Sequence, residues 1–268
     1  MELDSITLRK LQLTELEMMI EVDRICRKHN INYSLDGGTL LGAVRHNGFI
    51  PWDDDADIMM SREEYNKFYE VCKTELNQEK YFLQEFRTDL EYRWGYSKMR
   101  KNGTVFLRKG QEHIKCHTGV CIDIFIFDKV PNNYISRRVH WISCFIIRKG
   151  LYSIVGKKSV TNLVEKILYN ALAVLPREFW VCWLFILINK EKNKNRELIS
   201  HLTYPNRKRI RYGLSSNYYN EYAEKEFEGH QFKVIKEYDK YLKELFDDYM
   251  KLPPEDKRKV HPVSQIKL

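Results

Sequence analysis

Four aspartates crowd into five residues of this sequence: Asp53, Asp54, Asp55 and Asp57. Carboxylates this close repel one another, so they cost stability unless a positive charge sits among them, and a divalent cation is the economical partner. Residues 55–60 (DADIMM) alternate acidic and apolar side chains, as a strand with one wet face does. On such a strand Asp55 and Asp57 project from one face, at a spacing that two oxygen ligands of one Mg²⁺ or Mn²⁺ can use. Asp53 shares that face if the strand begins early, and Asp54 points elsewhere, behind the ligands. A further acid, Asp123, interrupts an apolar run between Ile122 and Ile124. Buried unpaired it would be costly; a shared metal removes the cost, and the carboxylate could also take the proton from an attacking hydroxyl. Asp55, Asp57 and Asp123 are therefore the candidate catalytic and metal-binding residues. An acidic surface loop is the bland alternative, but it does not account for the alternation with Ile58 and Met60 that runs straight into a capped helix.

Upstream, Gly37-Gly38-Thr39 lies between a predicted strand and a predicted helix start. Backbone N–H groups there can hold phosphate oxygens, and small residues let a phosphate approach. Arg45 and His46 end the short helix. Arg45 suits bidentate phosphate binding, with a surface ion pair as its bland alternative.

These residues need elements to hold them. Residues 8–29 carry Leu8, Leu11, Leu16, Met19, Val22 and Ile25 near helical spacing, which predicts an amphipathic helix. A short strand over 31–35, the glycine turn and a helix over 39–45 capped by Thr39 follow. Ser61 and Glu64 have capping-box spacing before a helix with Tyr65, Phe68 and Cys72 on its apolar face. Residues 81–86, 96–100 and 105–107 read as strands, and 120–127 (VCIDIFIF) most clearly of all. Helical patterns run from Pro131-Asn132-Asn133 to about residue 200, and the aromatic tail over 218–250 is read as partly helical before Pro253-Pro254. The expected fold class is α/β (α+β), a mixed sheet flanked by helices with a mainly helical C-terminal half. The expected domains are a catalytic core over 1–130, a basic aromatic helical segment over 131–205, and a C-terminal segment over 206–268 that packs on the core.

Of the 268 residues 43% are hydrophobic and 31% charged, which is a globular composition. The net charge of +8 is not spread evenly: residues 131–200 hold twelve Lys and Arg against four Asp and Glu, and the remainder of the chain balances. Two short apolar, Trp-containing runs, 139–147 (VHWISCFII) and 179–188 (FWVCWLFILI), lie in the same segment. Neither reaches the roughly 20 residues of a membrane span. Together with the lysines they could rest on an anionic membrane surface or form a small helical core. The polar N-terminus lacks the apolar stretch of a signal peptide, and none of the six cysteines forms a CxxC pair, so the expectation is a cytoplasmic protein, in peripheral contact with the inner face of the membrane if 131–200 touches lipid.

The run from Leu35 to Met59, LDGGTLLGAVRHNGFIPWDDDADIM, resembles the signature of the LicD/fukutin family, its bacterial branch above all. Lys98-Met99-Arg100 with Thr104, IDIF at 122–125 and LPPEDKR near the C-terminus also resemble that family. The resemblance implies a nucleotidyltransferase-like fold and metal-dependent transfer of a phosphorylated alcohol to a sugar hydroxyl of a cell-surface glycan such as teichoic acid, lipopolysaccharide or capsule, the acceptor free or lipid-linked. Phosphocholine from CDP-choline is the expected group, with CDP-ribitol or CDP-glycerol as alternative donors. Position by position, Gly37, Gly38 and Thr39 match the glycine turn, Asp55 and Asp57 the metal pair, and Asp123 the later strand carboxylate. Arg45, His46, Trp52, Asp53, Lys98, Arg100 and His117 are then expected substrate contacts. Ala56 stands where the family has an apolar β-branched residue, which bears on packing rather than chemistry. A choline group would want an aromatic cage, for which Trp52, Tyr92, Trp94 and Tyr96 are candidates.

Three other readings compete with this one. His113, Cys116, His117 and Cys121 invite zinc, but their spacing matches no finger pattern. A basic segment on such a fold could serve RNA, yet it carries Trp and aliphatic runs rather than a base-stacking platform, so no nucleic-acid partner is expected. A non-catalytic membrane binder gains nothing from clustered acids beside an anionic surface.

Overall fold

A computed structural model describes residues 3–204, 212–255, 258 and 260–268. The elements run α1 (Ser5–Lys28), β1 (Ser34–Leu35), α2 (Gly37–His46), β2 (Asp57–Ser61), α3 (Arg62–Glu75), β3 (Tyr81–Gln84), β4 (Ser97–Lys101), β5 (Val105–Arg108) and β6 (Cys121–Val130). Then come α4 (Tyr134–Ser159), α5 (Leu163–Leu172), α6 (Arg177–Lys192), β7 (Leu198–His201), β8 (Leu214–Ser215), a 3₁₀ turn (Ser216–Tyr219), β9 (Tyr222–Phe227), β10 (His230–Ile235), α7 (Tyr238–Phe246) and β11 (Val263–Lys267). The main sheet has the order β1-β2-β6-β4-β3, with β7 also on β6 and β8 on β7. Within it β2 and β6 are parallel and the other pairs antiparallel. The fold is α+β, as its sequence pattern predicts.

β6 is the spine of this sheet. Ile122, Ile124 and Ile126 are buried at 0%, 0% and 4% exposure, while the alternate positions Asp123, Phe125 and Phe127 lie on the opposite face. The first register puts Asp57 beside Asp123 across the parallel ladder and Lys98 beside Asp123 across the antiparallel one.

Local chemistry sets the element boundaries. α1 starts before residue 8 because the Asp4 carboxylate accepts the N–H groups of Ile6 and Thr7. Thr39 does not cap α2. Asp36 does, accepting the Gly37 N–H at 2.7 Å, so both glycines form the first helical turn and the Thr39 hydroxyl is left for another partner. Ser61 caps α3 as its position suggests, but Glu64 does not complete the capping box; its carboxylate accepts the Asn32 N–H at 2.8 Å and ties the helix to the chain entering β1. In the tail, residues 222–235 form a hairpin, and only α7 is helical. Glu228 and Gly229 both take positive φ (51° and 76°), the conformation that a two-residue hairpin turn requires.

Helices α4 and α6 enclose a second, smaller core around Cys144, Ile147, Leu151, Trp180 and Leu184. They approach closely at Gly150, where a Cβ would meet the Trp180 ring at 2.3 Å. The start of α3 is bound to β6 by a nearly buried ion pair, in which Arg62 Nε and one terminal nitrogen donate to the two oxygens of Asp128 at 2.8 and 2.7 Å. Asp128→Asn leaves the Arg62 charge without its partner. The expected loss is about 3 kcal/mol, or a fall in Tm of roughly 5–10 °C for a chain of this size. Calorimetry checks it, and a loss of under about 1 kcal/mol would mean that water already screens the pair.

Candidate active site

The chain around Asp57 is clasped from both sides. Its N–H donates to the Thr39 hydroxyl at 2.8 Å, and its carbonyl accepts the Asp36 N–H at 3.0 Å. The clasp lays the first turn of α2 against the carboxylates. A Cβ on Gly37 would sit 3.4 Å from Asp57 Oδ2, and one on Gly38 would sit 2.7 Å from Asp53 Oδ2. Gly37 also has φ +50°, which other residues rarely adopt. The N–H end of α2 thus faces the acids, the favourable sense for its dipole.

A second set of contacts closes on Asp55 from the C-terminal segment. β11 pairs with β5, Val263 opposite Arg108, and the Lys109 N–H donates to the Pro262 carbonyl. That ladder carries Arg108 to 3.5 Å from Asp55 Oδ2 and His261 Nδ1 to 3.6 Å from the same oxygen. The His261 N–H and ring nitrogen also meet the two oxygens of the buried Asp54, at 3.1 and 2.9 Å. Among the described residues, Asp54, Asp55 and His261 are the metal-capable side chains that converge, with ligand atoms within 4.8 Å of one another. The zinc reading of His113, Cys116, His117 and Cys121 finds no such convergence.

Electrostatics sort the acids. Burial, with the charges of Asp55 and Asp54, raises the Asp53 carboxyl to about 8. Burial, then Asp55 and Asp123, hold Asp57 well above the usual carboxylate range. Burial raises Asp55 as well, against the pull of Arg108 and His261. Burial also opposes ionisation of Asp123, but Lys98, Arg108 and Arg100 outweigh it and hold this carboxyl below its ordinary value; Lys98 Nζ makes a direct ion pair with it. From α1, Glu15 is buried at 1% exposure, and its Oε2 has no hydrogen-bond partner among the described residues. Burial, then Asp55, Cys121 and Asp54, push it well up.

The other expected contacts divide. Gly37, Gly38, Thr39, Asp53 and Lys98 stand with the carboxylates. Arg45 and His46 close the far end of α2, where Arg45 donates to the Tyr249 carbonyl at 2.7 Å and to His46 Nε2 at 3.0 Å. Arg100 is buried behind Lys98 and donates to Gln84 and the Gly119 carbonyl. His117 stacks on Phe82 and bonds to Asn102 Oδ1 at 2.9 Å. Trp52 carries the Arg258 guanidinium on its ring at 4.4 Å. Tyr92 is buried against Trp94, while Trp94 and Tyr96 line a basic cavity of about 380 Å³ with Arg93, Arg108, Arg148 and Lys149. A cavity of about 450 Å³ opens beside Asp57, and Tyr204 borders both.

Glu15, Arg108, His201, Tyr204 and His261 are missing from the sequence-based candidates.

Clustered carboxylates at a helix N-terminus, flanked by two cavities, are a candidate enzyme site, and comparison with known proteins gives the class of the chain, a transferase. Residues 30–148 match the family described as LicD/FKTN/FKRP, nucleotidyltransferase domain. Over 277 aligned residues, covering 97% of each chain, the sequence is 31% identical to the lipopolysaccharide cholinephosphotransferase LicD of Haemophilus influenzae. It is also 32% identical over 126 residues to an uncharacterized protein of Rickettsia typhi, a stretch covering 47% of this chain and 32% of that one. The chain belongs to the LicD family.

The raised carboxyl of Asp53 has a sign in the pH dependence. A group that binds its proton more tightly when folded contributes stability below its unfolded pKa near 3.8 and loses it as pH rises toward about 8. The metal-free protein is therefore expected to lose thermal stability between pH 5 and pH 8 in part through Asp53. In Asp53→Asn that fall should be smaller by about 3 °C or more, the response to roughly 1 kcal/mol. Identical slopes in the two proteins would contradict it.

Proposed function

We propose that this chain transfers phosphocholine from CDP-choline to a sugar hydroxyl of a cell-surface glycan, with Mg²⁺ or Mn²⁺ as cofactor. The observation that carries the reading is the parallel register that sets Asp57 beside Asp123 at the N-terminus of α2. The lipopolysaccharide cholinephosphotransferase named above, alike over 97% of both chains, supports it.

The residues suit a hard divalent cation. The donors are carboxylate oxygens, they are crowded enough that burial and mutual repulsion raise Asp53 and Asp57, and Glu15 Oε2 is unsatisfied beside them. Asp55 belongs to the set that already converges, with Asp54 and His261; Asp57 and Asp123 would have to close on the ion beside it, and the ion would supply charge stabilisation at the phosphoryl oxygens. Gly38 places its N–H at the same point, while that of Gly37 is taken by the Asp36 carboxylate. Lys98 keeps Asp123 ionised, so it accepts a hydrogen bond from the incoming hydroxyl and takes the proton late, once bonding to phosphorus has made that proton acidic. The hydroxyl oxygen bonds to the choline-bearing phosphorus, the bond from that phosphorus to the bridging oxygen breaks, and CMP leaves with the electron pair. Arg108, against Asp55, balances charge as the leaving group separates.

The acceptor is read as lipid-linked or membrane-proximal on a separate observation. α5 exposes Leu163 at 70%, Val164 at 75% and Ile167 at 62%, and Val174 follows at 81%, in the segment that carries the basic excess. Among the described residues no single helix is long and apolar enough to cross a membrane; α5 and α6 reach that composition only as a pair bent by 83°. An exposed apolar face in a segment with that basic excess suits the surface of an anionic bilayer.

Two experiments test these readings. Purified protein with Mg²⁺ and a glycan acceptor should turn over CDP-choline in preference to CDP-ribitol or CDP-glycerol, and Asp57→Asn should lower kcat by about 10³-fold with its circular dichroism unchanged. Preference for another donor overturns the choline assignment, and near-normal turnover in Asp57→Asn overturns the site. In flotation, vesicles rich in phosphatidylglycerol should carry the protein up the gradient, and Val164→Glu with Ile167→Glu should abolish this; equal flotation of the double variant removes α5 from the contact.

A further inference from the structure

The two cavities beside the carboxylates differ in chemistry. The one beyond Arg108 is lined by Arg93, Arg108, Lys109, Arg148 and Lys149. The one beside Asp57 has no Lys or Arg among its described lining residues; it has the carboxylates of Asp36, Asp57 and Glu244 and a wall of rings. An anion entering it finds no basic side chain to pair with among the described lining residues. A quaternary ammonium cannot donate a hydrogen bond and is recognised instead by aromatic faces and nearby carboxylates, and this cavity offers both.

Its walls are arranged accordingly. Phe125 meets His201 at 4.9 Å and 75°, Phe127 meets His201 at 6.3 Å and 61°, and Tyr204 meets Phe125 at 6.4 Å and 42°, so the rings are tilted against one another rather than stacked flat. His201 is buried at 5% exposure, and both of its ring nitrogens lack hydrogen-bond partners among the described residues. Burial lowers it to about 3, so the imidazole adds a neutral ring and no positive charge. Asp36 is fixed by the Tyr241 hydroxyl, and Glu244 Oε1 accepts the Tyr218 hydroxyl at 2.9 Å, which leaves carboxylate oxygens with lone pairs to spare at the cavity wall. Tyr204, with the Arg148 guanidinium 4.5 Å from its ring centre, is the partition between the anionic and the basic cavity.

We propose that the cavity formed by Phe125, Phe127, Tyr204 and Tyr241 with Asp36 and Glu244 is the subsite for a quaternary ammonium head on the transferred alcohol. It rests on the reading that the donor is a CDP-activated cationic alcohol, and it replaces the cage expected at Trp52, Tyr92, Trp94 and Tyr96. The nucleoside monophosphate then lies on the basic side, and Asp57 sits where the phosphorus between the two halves must be.

The probes are choline, its uncharged isostere 3,3-dimethyl-1-butanol, CMP and CDP-choline, each titrated into the full chain by calorimetry. Wild type should bind choline about tenfold more tightly than the isostere, and Glu244→Gln and Tyr204→Ala should each raise the KM for CDP-choline about tenfold with CMP affinity unchanged within about twofold. Both positions are partly or largely exposed, so the variants are expected to fold, and an unchanged Tm verifies it. Equal binding of choline and the isostere overturns the subsite, because it makes the cavity merely apolar. Equal weakening of CMP and CDP-choline also overturns it, because it places the nucleotide there. If wild type turns over CDP-choline while both variants are unaffected, the subsite alone is rejected. If wild type does not turn over CDP-choline at all, the donor reading beneath it is rejected.

Discussion

Mutually repelling carboxylates stay together here because backbone hydrogen bonds, not side-chain attraction, hold the chain that bears them. The Asp57 peptide gives its N–H to Thr39 and receives that of Asp36, while the β2–β6 ladder locks it beside Asp123. Such bonds are indifferent to the charge state of the acids. The geometry therefore survives whether a proton, a cation or neither sits among them, and the electrostatic strain is carried by the fold as a whole.

The compensation for that strain is uneven. Asp123 has Lys98 in direct contact, and Asp55 has Arg108 and His261. Among the described residues Asp53, Asp57 and Glu15 have no comparable basic partner, and burial opposes the ionisation of each. One flank of the cluster is neutralised by the protein's own side chains and the other is left to what binds. The asymmetry matches the two cavities, basic where Arg108 lies and acidic where Asp57 lies.

What could be read from the sequence was local. The Ser61 cap and the IDIF run act through neighbours a few residues away, so residue type and spacing suffice there; the DADIMM alternation does not carry through, because β2 begins only at Asp57, which leaves Asp55 before the strand, and Met59 and Met60 are both buried. The α2 cap failed because Asp36 and Thr39 both suit the position; only the approach of Asp57, eighteen residues on, recruits the Thr39 hydroxyl elsewhere. The hairpin of 222–235 was missed because its Glu-Gly turn is a weak signal inside an aromatic-rich tail. Arg108 and His261 were beyond reach for a different reason. They meet at Asp55 through a strand pairing that spans more than 150 residues, and nothing in either short stretch announces the other.

That pairing sets an order of assembly. β11 follows every other described element in the chain, so a ribosome exposes the acids, the glycine turn and the spine strand long before it delivers the histidine that covers Asp54. During synthesis the acidic cluster is a finished trough with one side missing. The late-arriving strand works as a latch, and its grip on β5 decides when the nascent Asp54 first gains its two bonds to His261.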